Sequence, residues 1–200
     1  HRHFAAQAIL SKEPLRLISG NKETEGTCFI IEPNAEHRHT GSLHVEMHFL
    51  EPGGTLKDHD NLRRRLIQAP AVLVSDDQAI PFWTNWLFGS ANKRLDGRVA
   101  HALADFDALI AEGPVHLSDF VRTSGLSEGR FRHLFAREMG IPFKRYVLWR
   151  RIRMASRVLA TGASATHAAH SAGFADSAHF SRTLKAMFGI SPTFLLQHNR

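Results

Sequence analysis

Two blocks near the C-terminal end of the chain resemble each other: Gly125-Leu126-Ser127, Phe131, Phe135 and Gly140-Ile141-Pro142 correspond to Gly173-Phe174, Phe180, Leu184 and Gly189-Ile190-Ser191-Pro192, with Phe131, Phe135 and Gly140 offset by 49 residues from Phe180, Leu184 and Gly189. Apolar residues four apart lie on one face of a helix, so Phe131 and Phe135, like Phe180 and Leu184, are expected to pack inward. Each block therefore reads as the turn and second helix of a helix-turn-helix. The surrounding punctuation predicts helices at about 117–124, 128–138, 143–160, 164–172, 177–187 and 192–198. Ser127, Ser164, Asp176 and Ser191 stand at cap positions, Gly140 and Gly189 at stops, and Pro142 and Pro192 at first helical positions.

Charge divides the chain in the same place. Residues 1–114 hold 12 Lys/Arg against 15 Asp/Glu, a net −3, whereas residues 115–200 hold 13 against 4, a net +9. A basic domain behind a mildly acidic one points to a polyanion partner for the former and a separate task for the latter. No stretch is long and apolar enough to cross a bilayer, no secretory segment is visible, and the one cysteine, Cys28, allows neither an intramolecular disulfide nor a cysteine-rich zinc site. A cytoplasmic, nucleoid-associated protein with no membrane partner is expected. The chain opens at His1 rather than Met, which leaves open whether residues precede it.

The first half reads differently. Phe4–Leu10, Leu15–Ser19, Thr27–Ile31 and Leu43–Leu50 are short apolar or alternating runs broken by Ser19-Gly20-Asn21 and Pro33-Asn34, which predicts a small antiparallel β unit ending at Pro52-Gly53-Gly54. Residues 56–113 read as helical, with Ser75 as a cap before Phe82, Trp83, Trp86, Leu87 and Phe88. A second apolar stripe then runs through Val99, Leu103, Phe106, Leu109 and Ile110. The two segments would form a helical hairpin, and both core packing and a homodimer contact fit its tryptophans.

The inward residues of the repeated helices leave Glu128, Arg130, Arg132, His133 and Arg137 outward on the first, and Ser177, His179, Ser181, Arg182 and Lys185 outward on the second. Arginine can bond a guanine edge through two hydrogen bonds, while serine and lysine hold phosphate. Leu126-Ser127, Phe131, Leu134-Phe135, Gly140, Phe143, Tyr146, Arg151-Ile152, Ala155, Leu159, then Gly173-Phe174-Ala175-Asp176-Ser177-Ala178-His179-Phe180-Ser181-Arg182 and Phe188-Gly189-Ile190-Ser191-Pro192 closely resemble the DNA-binding domain of AraC/XylS-type transcription regulators. The resemblance spans residues 116–198. It implies seven helices, two of which read successive major-groove segments and are joined by the long helix 143–160. Gly129, Arg132 and His133 then sit where the first helix reads bases, and Ser177, Ala178, Ser181 and Arg182 where the second does; double-stranded DNA, and RNA polymerase, are the partners it implies. Gly129 and Ala178 offer almost no side chain for readout. Ala165, Ala168 and Ala172 stand where larger aliphatics are common, which predicts a second reader less rigidly held until DNA binds.

The N-terminal residues resemble, less specifically, the cupin sensor domain of many such regulators. Ile30-Ile31-Glu32-Pro33-Asn34-Ala35-Glu36-His37 is similar to the cupin strand-turn-His segment, and His1-Arg2-His3 with Gln7 to its HxH segment, where the usual Glu is replaced. In metal-binding cupins that set would hold a cation; with the carboxylate gone, no metal and no cofactor are expected, and His39, His44 and His48 are read as strand residues. Arg2, Gln7 and His37 are candidates for a small-molecule pocket. For an anionic effector such as a cyclic dinucleotide, the candidates are Arg63-Arg64-Arg65 and the RxxxR pair Arg94 and Arg98, a motif that recurs at Arg153/Arg157 at the frequency chance gives.

No enzyme signature survives inspection. Gly125-Leu126-Ser127-Glu128-Gly129 matches G-x-S-x-G, but a nucleophile elbow needs a strand before its serine, and here a helix precedes it. The expected chain is α+β: a small cupin-like β-barrel sensor over 1–55, a helical hairpin linker and dimerisation element over 56–113, and an all-α bipartite helix-turn-helix DNA-binding domain over 114–200. Such a chain is a ligand-controlled homodimeric transcription regulator rather than an enzyme. The alternative is a cupin-type small-molecule binding protein or enzyme whose helical half serves oligomerisation.

Overall fold

In the computed structural model, residues 1–40, 45–51, 59–88, 95–104, 106–113, 115–122 and 124–198 are described. The chain forms two units, His1–Lys93 and Arg94–Arg200.

The first unit is organised around one long strand. β1 (Ala6–Ser19) and β2 (Lys22–Ile31) form an antiparallel hairpin that turns at Gly20, where φ is 56°. β3 (Arg38–Thr40) pairs with the far half of β1, and β4 (Val45–Leu50) with its near half. β5 (Val72–Val74) then lies parallel to β2, placing Val72 beside Phe29. Side chains alternate across a strand, so the sheet has two apolar faces. Ala6, Ala8, Cys28 and Ile30 pack with Leu62 and Leu66 of α1 (Asp60–Gln68) and with Trp83, Trp86 and Leu87 of α2 (Trp83–Phe88). Ile9, Leu15, Leu17, Phe29 and Ile31 pack with Ala35 and Val74 on the other face.

Three expectations change here. Among the described residues the sheet is open rather than closed into a barrel, with β3 and β4 sharing one side of β1 and β5 ending the other side of β2. Val72–Val74 is a strand inside a stretch read as helical, because its partner lies more than 40 residues earlier and three residues carry no periodic signal. The helical hairpin read over 56–113 falls across both units, with α2 in the first and the Val99–Ile110 stripe in the second. Both tryptophans are core, with Trp83 and Trp86 buried and the Trp83 indole N–H donating to the Ile31 carbonyl at 2.8 Å. Nor does Ser75 cap α2. The buried Glu32 carboxylate does so from the end of β2, accepting from the Phe82 N–H at 2.6 Å and the Trp83 N–H at 3.3 Å. Burial pushes the Glu32 carboxyl up from its ordinary range, against the pull of those two N–H groups.

The second unit is helical: α3 (Gly97–Ala104), α4 (Phe106–Glu112), α5 (Leu117–Val121), α6 (Glu128–Met139), α7 (Phe143–Ala160), α8 (Ala165–Ser171), α9 (Ser177–Phe188) and α10 (Pro192–His198). Phe106 stacks on Phe120 at 4.8 Å, and Phe131, Phe135, Phe143 and Tyr146 join them in a continuous aromatic core. Further along α7, Trp149 packs on Phe188 at the end of α9, and Ile152, Ala155 and Leu159 are buried. Among the described residues, no helix is long and apolar enough to cross a membrane.

Candidate nucleic-acid interface

The repeat seen in the sequence is reproduced in the geometry of the second unit. α6 and α9 each run 12 residues. Their caps also stand 49 residues apart: the Ser127 hydroxyl accepts from the Arg130 N–H at 3.4 Å, and the Asp176 carboxylate from the His179 N–H at 2.5 Å. Both helices stop at a left-handed glycine, Gly140 and Gly189, each with φ 71°. The His179 N–H holds the Asp176 carboxyl below its usual range, and the charge of Arg182 adds to this. Ser164 and Ser191 cap α8 and α10 in the same way.

The inward set of α6 is Phe131, Leu134, Phe135 and Met139, and that of α9 is Phe180, Leu184 and Met187. Gly129, Arg130, Arg132, His133 and Arg137 are exposed along α6; Ala178, Arg182 and Lys185 are exposed along α9, with Ser177 and Ser181 half-buried. Among the described residues, Arg130, Arg132, Arg182 and Lys185 take part in no salt bridge, whereas Arg137 leans on Glu138 at 3.2 Å. Two of the outward residues of α9 are partly engaged. The Ser181 hydroxyl donates to the Ser177 carbonyl at 2.7 Å, and the His179 ring packs edge-on against Phe174.

α8 packs through small side chains beside α9. Ala168, Ala169 and Ala172 are fully buried, and Ala165 is half-buried. Alanines bury less area than leucines but let the helix approach its support closely. The turn that follows carries Gly173 at φ 72°, under the guanidinium of Arg151, whose Nε is buried and has no hydrogen-bond partner among the described residues. An added Cβ at Gly173 would sit 3.4 Å from that Nε, at contact distance, so backbone strain dominates the cost of a side chain. Gly173→Ala is expected to destabilise the second unit by about 1–2 kcal/mol, read as a lower urea midpoint at unchanged slope. An unchanged midpoint would mean the turn tolerates a side chain.

The candidates for an anion clamp do not converge. Arg63 donates to the Leu87 carbonyl at 2.8 Å and 3.2 Å, and Arg65 forms a two-armed pair with Glu46 at 2.8 Å and 2.6 Å. Arg64 is exposed beside Asp60 and Ile67. Consecutive residues of a helix point about 100° apart, so the run is spread around α1 rather than focused on one ligand. Arg98 is paired with Asp96 at 2.7 Å, and Arg94, like His44, lies outside the described residues. Arg2 is held by Glu36 at 2.8 Å and by the Gln78 side chain. Gln7 and His37 are buried together with His3. The sequence carries no signal for the ion pair of Arg150 with Asp107, 2.6 Å long, or for Glu32 as a cap, because each joins residues more than 40 apart.

A helix-turn-helix domain family matches residues 120–198. The transcriptional activator RhrA of Rhizobium meliloti (strain 1021) is 34% identical over 89 residues, which make up 43% of this chain and 28% of that protein. Residues 120–198 thus carry a helix-turn-helix domain similar to that of AraC/XylS-type regulators. The chain spans little more than a quarter of the length of the curated relative it matches. A transcriptional regulator with an AraC-type DNA-binding domain from Chromobacterium violaceum is 26% identical over 51% of this chain and 91% of its own, with a TM-score of 0.48. Apo ToxT K231A from Vibrio cholerae is 10% identical and covers 100% of this chain and 91% of its own at a TM-score of 0.58, a likeness of fold alone. The matched segment begins at Phe120 of α5 and ends in α10, so it contains both helix-turn-helix blocks.

Proposed function

We propose that the chain is a transcription regulator that binds double-stranded DNA through α6 and α9. Gly129, Arg130, Arg132, His133 and Arg137 line one contact, and Ser177, Ala178, Ser181, Arg182 and Lys185 the other. The observation that carries this reading is a pair of 12-residue helices, each capped at its N-terminus by a side-chain oxygen and stopped by a left-handed glycine, whose outward Arg130, Arg132, Arg182 and Lys185 form no salt bridge among the described residues, in a segment of net charge +9. A surface dominated by one sign of charge attracts a polyanion. Asymmetry follows from composition: α6 offers three arginines, whereas α9 relies on Arg182 and Lys185.

The first unit would take a small-molecule effector and shift the regulator between states by binding one of them more tightly. Homodimerisation and contact with RNA polymerase complete the reading. Phe88, 74% exposed at the end of α2, supports a protein contact on the first unit.

The test is a DNA titration over a series of salt concentrations. Arg182→Ala is expected to cost about 1–3 kcal/mol on the preferred sequence and to relax discrimination at one position. Lys185→Ala should weaken all sequences evenly and reduce the slope of log K against log salt by about 1. Equal losses on specific and random DNA in both variants would remove Arg182 from base readout. No binding even at low salt would favour the reading in which the helical half only oligomerises.

A further inference from the structure

The outward face of α7 carries a stripe that lies outside both repeated blocks. Arg150, Arg153, Met154, Arg157 and Val158 recur at spacings of three and four residues, so they share one side of the helix. Ile152, Ala155 and Leu159, buried, occupy the other side. With Asp107 of α4 and His167 of α8, the stripe lines a groove of about 530 Å3 that lies entirely within the second unit. Sites for small organic ligands run from about 300 to 1,000 Å3.

The chemistry of this groove is one-sided. Among the described residues, Asp107 is the one acidic group lining it, and Arg150 already holds it, Nε to one carboxylate oxygen at 3.0 Å and Nη2 to the other at 2.6 Å. Arg150 also donates to the Tyr146 hydroxyl at 2.8 Å and lies over the Phe106 and Tyr146 rings. That pair is therefore a fixed wall. Arg153, Arg157 and His167 are exposed, and Arg157 takes part in no salt bridge among the described residues. Arg153 and Arg157 stand one turn apart, about 6 Å along the axis. Met154 and Val158, half-buried beside them, give the groove an apolar floor. Arg63-Arg64-Arg65 diverge around α1 because they are consecutive; arginines four apart face the same way.

These donors set the class of ligand. A guanidinium fork bound side-on occupies both oxygens of a carboxylate, so two forks and an imidazole exceed what one carboxylate can accept. A phosphoryl group presents three charged oxygens. We propose that the groove binds an organic phosphate, its phosphoryl group held by Arg153, Arg157 and His167 and its organic part lying on Met154 and Val158. The spacing of the two arginines is one that chance supplies; the imidazole from a second helix and the apolar floor are what make it a site. None of these residues is among those proposed to touch DNA, and the inference does not rest on that reading.

The experiment is calorimetric titration of the whole chain with adenosine monophosphate, with adenosine and inorganic phosphate as controls that each lack one half of the probe. The expected result is one adenosine monophosphate per chain, weaker binding of inorganic phosphate and none of adenosine. Arg157→Ala should weaken the nucleotide more than about tenfold, the loss of a hydrogen-bonded charge, and His167→Ala should weaken it less. Both side chains are exposed, so the melting temperatures without nucleotide should match the wild type. Arg182→Ala should bind the nucleotide as the wild type does. No binding, equal affinity for inorganic phosphate, or affinity undiminished in Arg157→Ala would each overturn the proposal. A loss in Arg182→Ala instead would put the nucleotide on α9. Displacement of the nucleotide by duplex DNA, with both affinities falling equally in Arg157→Ala, would make the groove a contact for the DNA backbone and overturn the proposal while leaving the DNA-binding role intact.

Discussion

Phe135→Ala is expected to lower the stability of the second unit by about 3–5 kcal/mol, enough to unfold a marginally stable helical domain at growth temperature. The ring is fully buried and packs edge-on against Phe143 at 5.3 Å and Tyr146 at 5.4 Å, with Phe131 at 6.1 Å. Its removal opens a cavity at the point where α6 meets α7, and the surrounding aromatics cannot collapse into it without leaving their own contacts. Urea unfolding followed by far-ultraviolet circular dichroism measures the loss. DNA binding by the variant should fail in step with folding and recover in conditions that restore the fold. A cost below about 1 kcal/mol would mean the site collapses freely, contrary to the close packing of protein interiors.

Trp83→Ala should cost the first unit a similar amount, about 3–5 kcal/mol. The indole is 1% exposed, meets Trp86 edge-on at 5.3 Å, and donates its N–H to the Ile31 carbonyl. Trp83→Phe separates the two contributions: it keeps most of the apolar volume and loses the hydrogen bond, for a smaller penalty of about 1 kcal/mol plus the residual cavity. Chemical denaturation of the three proteins side by side gives the comparison. Equal losses for Phe and Ala would make the hydrogen bond, not packing, the reason for a tryptophan at the start of α2.

The helices of the second unit were legible because their signals are local. Ser127, Asp176, Gly140 and Gly189 each act within one turn of the residue they mark, and a repeat offset by 49 carries its own internal check. The β unit was legible only in part. β1 joins two predicted runs, Phe4–Leu10 and Leu15–Ser19, because the register shift between Leu10 and Leu15 absorbs the polar interruption without ending the strand. β5 and the cap that Glu32 supplies to α2 depend on partners more than 40 residues away, a distance at which composition and periodicity are silent. The tryptophans left core and interface both open for a related reason: aromatic residues suit either, and the sheet beneath them decides for the core. The same limit applies to Arg63-Arg64-Arg65. As a string it looks like a concentrated charge, but on a helix its members diverge to Leu87 and Glu46.

Under the proposed DNA-binding role, α7 has a consequence for the kind of DNA site this chain can use. Its 18 residues give a rod about 27 Å long, with Phe143 and Tyr146 seated in the core beneath α6 and Trp149 packed against the end of α9. The two helices proposed to read DNA are thus pinned to one inextensible piece. Inserting a single residue into that rod would turn one reader about 100° relative to the other and shift it by about 1.5 Å, so length variation there is forbidden in a way that loop variation is not. A duplex engaged by both helices must offer its two contact segments at one fixed pitch, with no play for an extra base pair between them.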